Sequence, residues 1–221
     1  MPRPEAENHP LAAVLQQVSA GSCPGRLNFH CHTIHSDGSL SADGLAEQAL
    51  AIGLEHLAIT DHHDHSAHAR VAALFAGWAS AGQRVPSLWR GVEISCLLEG
   101  CLVHVLALGF GDHHPSLTPY LQRSAVVGPA LRSDAVLAAI QAAGGLALLA
   151  HPARYRLPHG RLLAAAAEQG FDGAEVWYDY DMAHPWQPTA PLCWAIAADV
   201  ADRGLLPSCG TDTHGLDLHG R

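Results

Sequence analysis

The chain has 221 residues, a formal net charge of -9 and 17 histidines, and all twelve of its basic residues are arginines. Without lysine, P-loop nucleotide hydrolysis and Schiff-base chemistry are excluded, and the acidic balance argues against duplex DNA, whose affinity comes from cations laid along phosphates. Histidine is the commonest metal ligand and the usual acid–base residue near neutrality, so its excess points to chemistry at a site.

The length, 48% hydrophobic residues and 15% charged residues fit a single domain with a large core. No apolar run reaches the roughly 18 residues of a membrane span. The first five residues have the pattern of neither a signal nor a transit peptide. Six scattered cysteines without a CxxC pair fit buried, reduced thiols in a cytoplasmic protein. Residues 1–26 read as an N-terminal extension with one short helical stretch at 11–18, and residues 27–221 as the functional domain. Strands are expected at 27–32, 56–60, 88–94, 101–108, 146–150, 173–177 and 206–209. Helices are expected between them at 42–52, 67–81, 133–143, 160–169 and 191–203, several followed by the glycine that commonly ends a helix. This alternation reads as α/β, and seven strands fit either a closed barrel or an open parallel sheet. The pair 88–94 and 101–108 reads as the one hairpin, and 111–128 as a loop with little helical character.

The ionisable residues cluster at the carboxyl ends of those strands, where α/β folds place their active sites. In His30-Cys31-His32, period-two geometry puts both imidazoles on one face, a spacing that can chelate one metal. Asp37 follows in a turn before a helix. Asp61 and His62 end the second strand. Glu93, between Val92 and Ile94, is a carboxylate in a buried-looking strand, costly unless paired or metal-bound. His104 makes the same point on the next strand, and His151 follows the fifth. Asp212-x-His214 repeats the HxH geometry after the last strand.

In order, the segments HCHTIHSDGSL, LAITDHH, GVEIS, LVHVLALGF, LAHPARY, GAEVW and CGTDTHG resemble the motifs of the PHP (polymerase and histidinol phosphatase) superfamily, over residues 27–215. The likeness is greatest to its small stand-alone metal-dependent phosphoesterases. It implies a distorted (β/α)7 barrel with two to three clustered divalent ions, manganese, iron or zinc. It implies one ion held by His30, His32, Glu93 and Asp212, with Glu93 bridging to a second held by His104 and His151. A third would lie between Asp37, His62 and His214. Two departures stand out. His63 occupies a place where many relatives carry Asp, Gly or another small residue, and the inserted cap of longer relatives is missing, so that 111–128 forms only a partial lid.

The expected protein is a phosphoric ester hydrolase. It cleaves phosphomonoesters of small nucleotides or related metabolites with a metal-activated hydroxide, and the cations leave the centre positive enough for a phosphate dianion. Glu93 and Asp212 are the expected catalytic carboxylates, with Asp61 orienting a ligand imidazole. Arg154 is the expected bidentate phosphate contact, with Arg156 as its alternative. His35 and His63 are candidate proton donors to the leaving group. The alternative reaction is 5′-to-3′ exonuclease action on short oligonucleotides at the same centre. An alternative of another class is a metal-binding regulatory module without turnover. No membrane or duplex DNA partner is expected. The aromatics of Trp177-Tyr178-Asp179-Tyr180 either stack on a base or pack.

Overall fold

Short, wholly apolar runs can be buried on both faces, which suits strands enclosed by helices. In the computed structural model, which describes residues 4–220, seven strands form one sheet in chain order. They are β1 (Leu27–Asn28), β2 (His56–Ile59), β3 (Ser87–Leu98), β4 (Cys101–Leu108), β5 (Leu146–Leu149), β6 (Gly173–Trp177) and β7 (Leu206–Cys209). Strand β4 runs antiparallel to β3 and β5, and the other neighbours are parallel. Beyond β1 and β7 the ends meet: the Phe29 amide donates to the Cys209 carbonyl at 3.0 Å and the Asp212 amide to the His30 carbonyl at 2.8 Å. Cys31 then bridges Thr213. The result is the expected distorted (β/α)7 barrel.

Helices α3 (Ala42–Ile52), α4 (Ala67–Ser80), α5 (Ser133–Ala142), α6 (His159–Gln169) and α7 (Ala190–Asp202) connect the strands. In α3 the Ser41 hydroxyl accepts from the Gly44 amide at 3.0 Å, and Gly53 ends the helix at φ +79°, where only glycine is unstrained. Its buried face, Leu45, Ala46 and Ala49, packs with Val71 and Phe75 of α4 and with Leu57 of β2. The hairpin expected between β3 and β4 is present, with Glu99 and Gly100 at φ +52° and +66°, as a two-residue primed turn requires.

Three differences from expectation have local causes. Only Leu27 and Asn28 of β1 pair with β2 as a ladder, because the chain beyond divides its bonds, the Phe29 amide going to β7 and the Cys31 carbonyl accepting from the Thr60 amide after β2. Strand β3 reaches Leu98 since β4 pairs with it from Gly91 onward. The segment 111–128 is less irregular than expected: a 3-10 turn at Pro115–Tyr120 buries Leu117 and Tyr120, and a second begins at Gly128.

The N-terminal segment contains α1 (Pro4–Glu7) and α2 (Pro10–Leu15); residues 1–3 of the expected extension and Arg221 lie outside the described residues. Helix α2 is shorter than the expected 11–18, yet Leu11, Ala12 and Leu15 are fully buried in the main core with Phe29, Ile94 and Leu108. The His9 ring lies 3.1 Å from the Gly109 carbonyl oxygen and beside Trp89, so this segment covers the barrel end where the parallel strands begin. The opposite end remains open for a site. All six cysteines are free and buried. Among the described residues, no helix is long and apolar enough to cross a membrane.

Candidate metal centre

Each strand of the barrel delivers a polar side chain to the open end. His30 and His32 point inward while Cys31 packs beneath α3 and α4, as alternation along an extended segment requires. The register of β3 and β4 sets Ser95 opposite His104, which makes Glu93 and His104 diagonal neighbours on one face. After β5 and β7 the backbone turns sharply, with His151 at φ +26° and Asp212 at φ +52°. Asp37, His62, Glu93, His104, His151, Arg154, Asp212 and His214 all line one cavity of about 450 Å³.

The donors fall into three groups. In the first, His30 Nε2 lies 3.1 Å from Glu93 Oε2 and 3.2 Å from Asp212 Oδ1. His32 Nε2 lies 3.2 and 3.1 Å from the same two atoms. A tetrahedral ion with ligands at about 2.0–2.1 Å has ligand–ligand edges of roughly 3.3 Å, so these spacings suit a cation. The tautomer adds to the fit. His30 Nδ1 faces both Glu175 oxygens, at 3.1 and 3.2 Å, and donating its proton there leaves an Nε2 lone pair directed at two carboxylates. That is repulsive unless a cation or a second proton lies between.

In the second group the other Glu93 oxygen, Oε1, lies 2.9 Å from His104 Nδ1 and 3.2 Å from His151 Nε2. In the third, Asp37 Oδ2 lies 3.6 Å from His62 Nε2 and 3.3 Å from His214 Nε2. His214 Nδ1 lies 2.8 Å from the Asp212 carbonyl, fixing the ring with Nε2 outward. The His62 ring stands between the second and third groups, its Nδ1 3.5 Å from Glu93 Oε2. All nine residues singled out as ligands therefore come together.

The electrostatics follow from burial and charge. Burial opposes a charged His30, but Glu175, Glu93 and Asp212 outweigh it and hold the imidazole well above its usual range. Burial likewise opposes charge on His32, and its contacts with Asp212 and Glu93 raise it to about 9. Burial resists ionisation of Glu93 and Asp212, yet His30 and its neighbours keep both well below the usual carboxylate range. Burial pushes His62 down to about 4. Protons thus balance the carboxylates where cations are absent, and cations must displace them.

The other expected site residues divide. Arg154 reaches the cavity, where its Nη1 donates to Tyr178 Oη at 2.9 Å and Asp212 Oδ2 at 3.1 Å. Arg156 instead donates to the Gly100 carbonyl at the hairpin turn. His35 stands half-buried on the rim, 2.7 Å from Ser66 Oγ through Nδ1. Asp61 touches no imidazole directly: it is fully buried and accepts from the Thr33 amide, the Thr33 hydroxyl and the Ser36 hydroxyl at 2.6–2.7 Å, and Ser36 Oγ in turn lies 3.5 Å from His32 Nδ1. It pins the turn that carries Asp37. His63 is no proton donor to a substrate either. Its Nδ1 lies 3.1 Å from the Tyr120 carbonyl oxygen and its Nε2 accepts from the Ser95 amide at 3.2 Å, so both nitrogens are occupied by backbone.

Two contributors escaped the sequence reading. Glu175, fully buried on β6, holds His30 and also accepts from the His151 amide at 2.8 Å. A lone carboxylate inside Gly173-Ala-Glu-Val-Trp177 was the signal, the same one that marks Glu93. Tyr178 is fully buried and donates to Asp212 Oδ2 at 2.6 Å, so it packs at the centre and does not offer its ring to a base. Glu175→Gln is expected to weaken manganese binding about 10–100-fold, as loss of a carboxylate behind a ligand histidine does; calorimetric titration reads the effect.

No family model matches the chain. It is 32% identical over 149 residues to a 5′-3′ exoribonuclease of Haemophilus influenzae, covering 62% of this chain and 52% of that protein. It is 33% identical over 203 residues to a probable phosphatase of Edwardsiella ictaluri, covering 85% of this chain and 78% of that one. The chain thus spans about half the length of the exoribonuclease. A solved structure from Bifidobacterium adolescentis, assigned as a metal-dependent phosphoesterase, superposes with a TM-score of 0.70 at 20% identity, covering 90% of this chain and 91% of that one. A two-domain protein of Bacteroides vulgatus with a PHP-like metal-dependent phosphoesterase domain gives a TM-score of 0.56 at 18% identity, over 86% of this chain and 52% of that one. These two carry the fold.

Proposed function

Since the chain belongs to the PHP superfamily of metal-dependent phosphoesterases, we propose that it hydrolyses phosphomonoesters of small nucleotides or related metabolites. The carrying observation is that three sets of imidazole and carboxylate donors meet around Glu93 and Asp212, both buried and both lining one open cavity. His30, His32, Glu93 and Asp212 would hold one ion; Glu93, His104 and His151 a second; Asp37, His62 and His214 a third. Manganese, iron and zinc suit these donors. When bound, such ions supply Lewis acidity, lowering the pKa of water and neutralising phosphate oxygens. The chain's own groups do the rest. Arg154, anchored through Nη1, offers a guanidinium to phosphate. Tyr178 and Glu175 fix Asp212 and His30. His35 on the rim is the group we assign to protonate the leaving oxygen.

Manganese-loaded protein is expected to release phosphate from small nucleotides in a panel of nucleoside bisphosphates, sugar phosphates and short RNA. Metal-replete protein inactive on the whole panel would overturn this reading and favour a binding module without turnover. We assign residues 27–221 to the phosphoesterase domain and 1–26 to an N-terminal extension. We assign the protein to the cytoplasm, since six unpaired thiols suit a reducing compartment.

A second reading, 5′-to-3′ removal of nucleotides from short oligonucleotides, is favoured by one observation besides the exoribonuclease relative. A groove lined by Ile34, His35, Ser36 and Arg123 meets the cavity at Asp37 and His62. Arg123 is exposed and anchored on Asp64 at 3.0 Å, one cation placed for a second phosphate. Arg123→Ala is expected to lower kcat/KM for bisphosphates or oligonucleotides about tenfold more than for monoesters, the size of one charged hydrogen bond. Steady-state kinetics on matched substrates checks this.

A further inference from the structure

Six of the 17 histidines belong to the centre proposed above, and the remainder are not scattered evenly. His65, just before α4, and His113, in the segment after β4, bring their rings to 6.4 Å between centroids in an edge-on arrangement. Asp112 completes the group, its Oδ1 3.6 Å from His113 Nε2. One donor atom from each of the three lies within 4.8 Å of the others. None of them is shared with the centre.

The surroundings suit a cation with borderline preferences. Arg90 holds the second oxygen of Asp112, Oδ2, at 3.0 Å. Although partial burial works the other way, that guanidinium keeps Asp112 below the usual carboxylate range, ionised, with Oδ1 directed at the imidazoles. Phe110 packs edge-on against His65 at 6.0 Å and orients it. Burial lowers His65 below its usual range, so a lone pair is available at neutral pH. His68 follows, its amide bonded to the His65 carbonyl at 3.1 Å, and burial, Arg90 and His65 push its pKa down to about 4. A neutral third imidazole therefore stands nearby. Two imidazoles and one carboxylate favour late first-row divalent ions over magnesium or calcium, and three protein ligands leave one position for water.

We propose that His65, Asp112 and His113 form a peripheral site for a late first-row divalent ion such as zinc. The ion ties the segment after β4 to the start of α4. That segment is already joined to its neighbour further along: the Arg123 amide donates to the His63 carbonyl at 2.9 Å, and the Arg123 guanidinium binds Asp64. Zinc adds a second staple between the same two stretches of chain.

Elemental analysis of chelated protein re-equilibrated with zinc tests the site, with hydrogen exchange of residues 110–123 as a second readout. His113→Ala and Asp112→Asn alter exposed side chains and keep the fold. Each is expected to bind one equivalent of zinc fewer than the unaltered protein and to lose the zinc-dependent protection of 110–123. Asp212→Asn, which weakens the centre, is expected to retain that equivalent and that protection. Equal zinc content in the unaltered protein and the two peripheral variants overturns the proposal, as does protection that survives in them.

Discussion

Glu93→Gln is expected to lower phosphoester turnover by at least about 10²–10³-fold, the loss that follows removal of one buried charge-stabilising group. Glu93 is 1% exposed, and its two oxygens serve different partners: Oε2 faces His30 and His32, Oε1 faces His104 and His151. An amide there removes the negative charge from two donor sets at once and presents an NH₂ group to one of them. Asp37→Asn offers the contrast. Its side chain is 55% exposed and belongs to the third set alone, so a smaller loss is expected. Phosphate release and elemental analysis on both variants give the ordering. Full turnover and full metal content in Glu93→Gln would sink the shared role of this carboxylate.

The second large effect is a dependence of stability on pH that appears only after chelation. The His32 imidazole titrates at about 9 in the folded chain against an ordinary value of 6.5. A raised folded pKa means that the stabilisation is fully present below pH 6.5 and is lost as pH climbs through 9. The span corresponds to about 3 kcal/mol, or roughly 6–12 °C of melting temperature for a chain of this size. Glu93 and Asp212 act in the opposite sense. Their folded pKa values are depressed, so their contribution is present above about pH 4.5 and disappears as acid is added. Bound manganese takes the place of the protons, so its affinity rises toward pH 9 and the alkaline loss of stability vanishes. Melting curves with and without chelator at pH 6.5 and 9 check this. A chelated protein whose melting temperature is flat over that range contradicts it.

Much of the centre was legible because a carboxylate or imidazole inside an apolar strand has few inexpensive places to go. Glu93 and His104 are conspicuous on that ground, and the barrel needed only to gather them. The antiparallel pair β3–β4 was legible from Leu98-Glu-Gly100, a connection too short for a parallel crossover. Partner choice was not legible. Asp61 and His63 flank His62, and alternation turns them away from it, but Thr33, Ser36, Ser95 and Tyr120 become their partners only once distant segments meet. The role of α2 was hidden differently. Six residues are too few for an amphipathic pattern to announce itself, and the burial of Leu11 and Leu15 comes from the floor of the barrel, not from the helix.

The left-handed backbone at Asp212 also bears on how this site can vary. At φ +52°, aspartate and asparagine are the side chains other than glycine that sit with least strain, and most others cost roughly 1–2 kcal/mol. Substitution at this position is therefore narrowed by the main chain before any chemistry is considered. An alanine scan would report a mixture of a bent loop and a missing ligand and credit both to catalysis. Asparagine alone separates them, and the route by which such a centre could lose its activity yet keep its shape runs through that exchange.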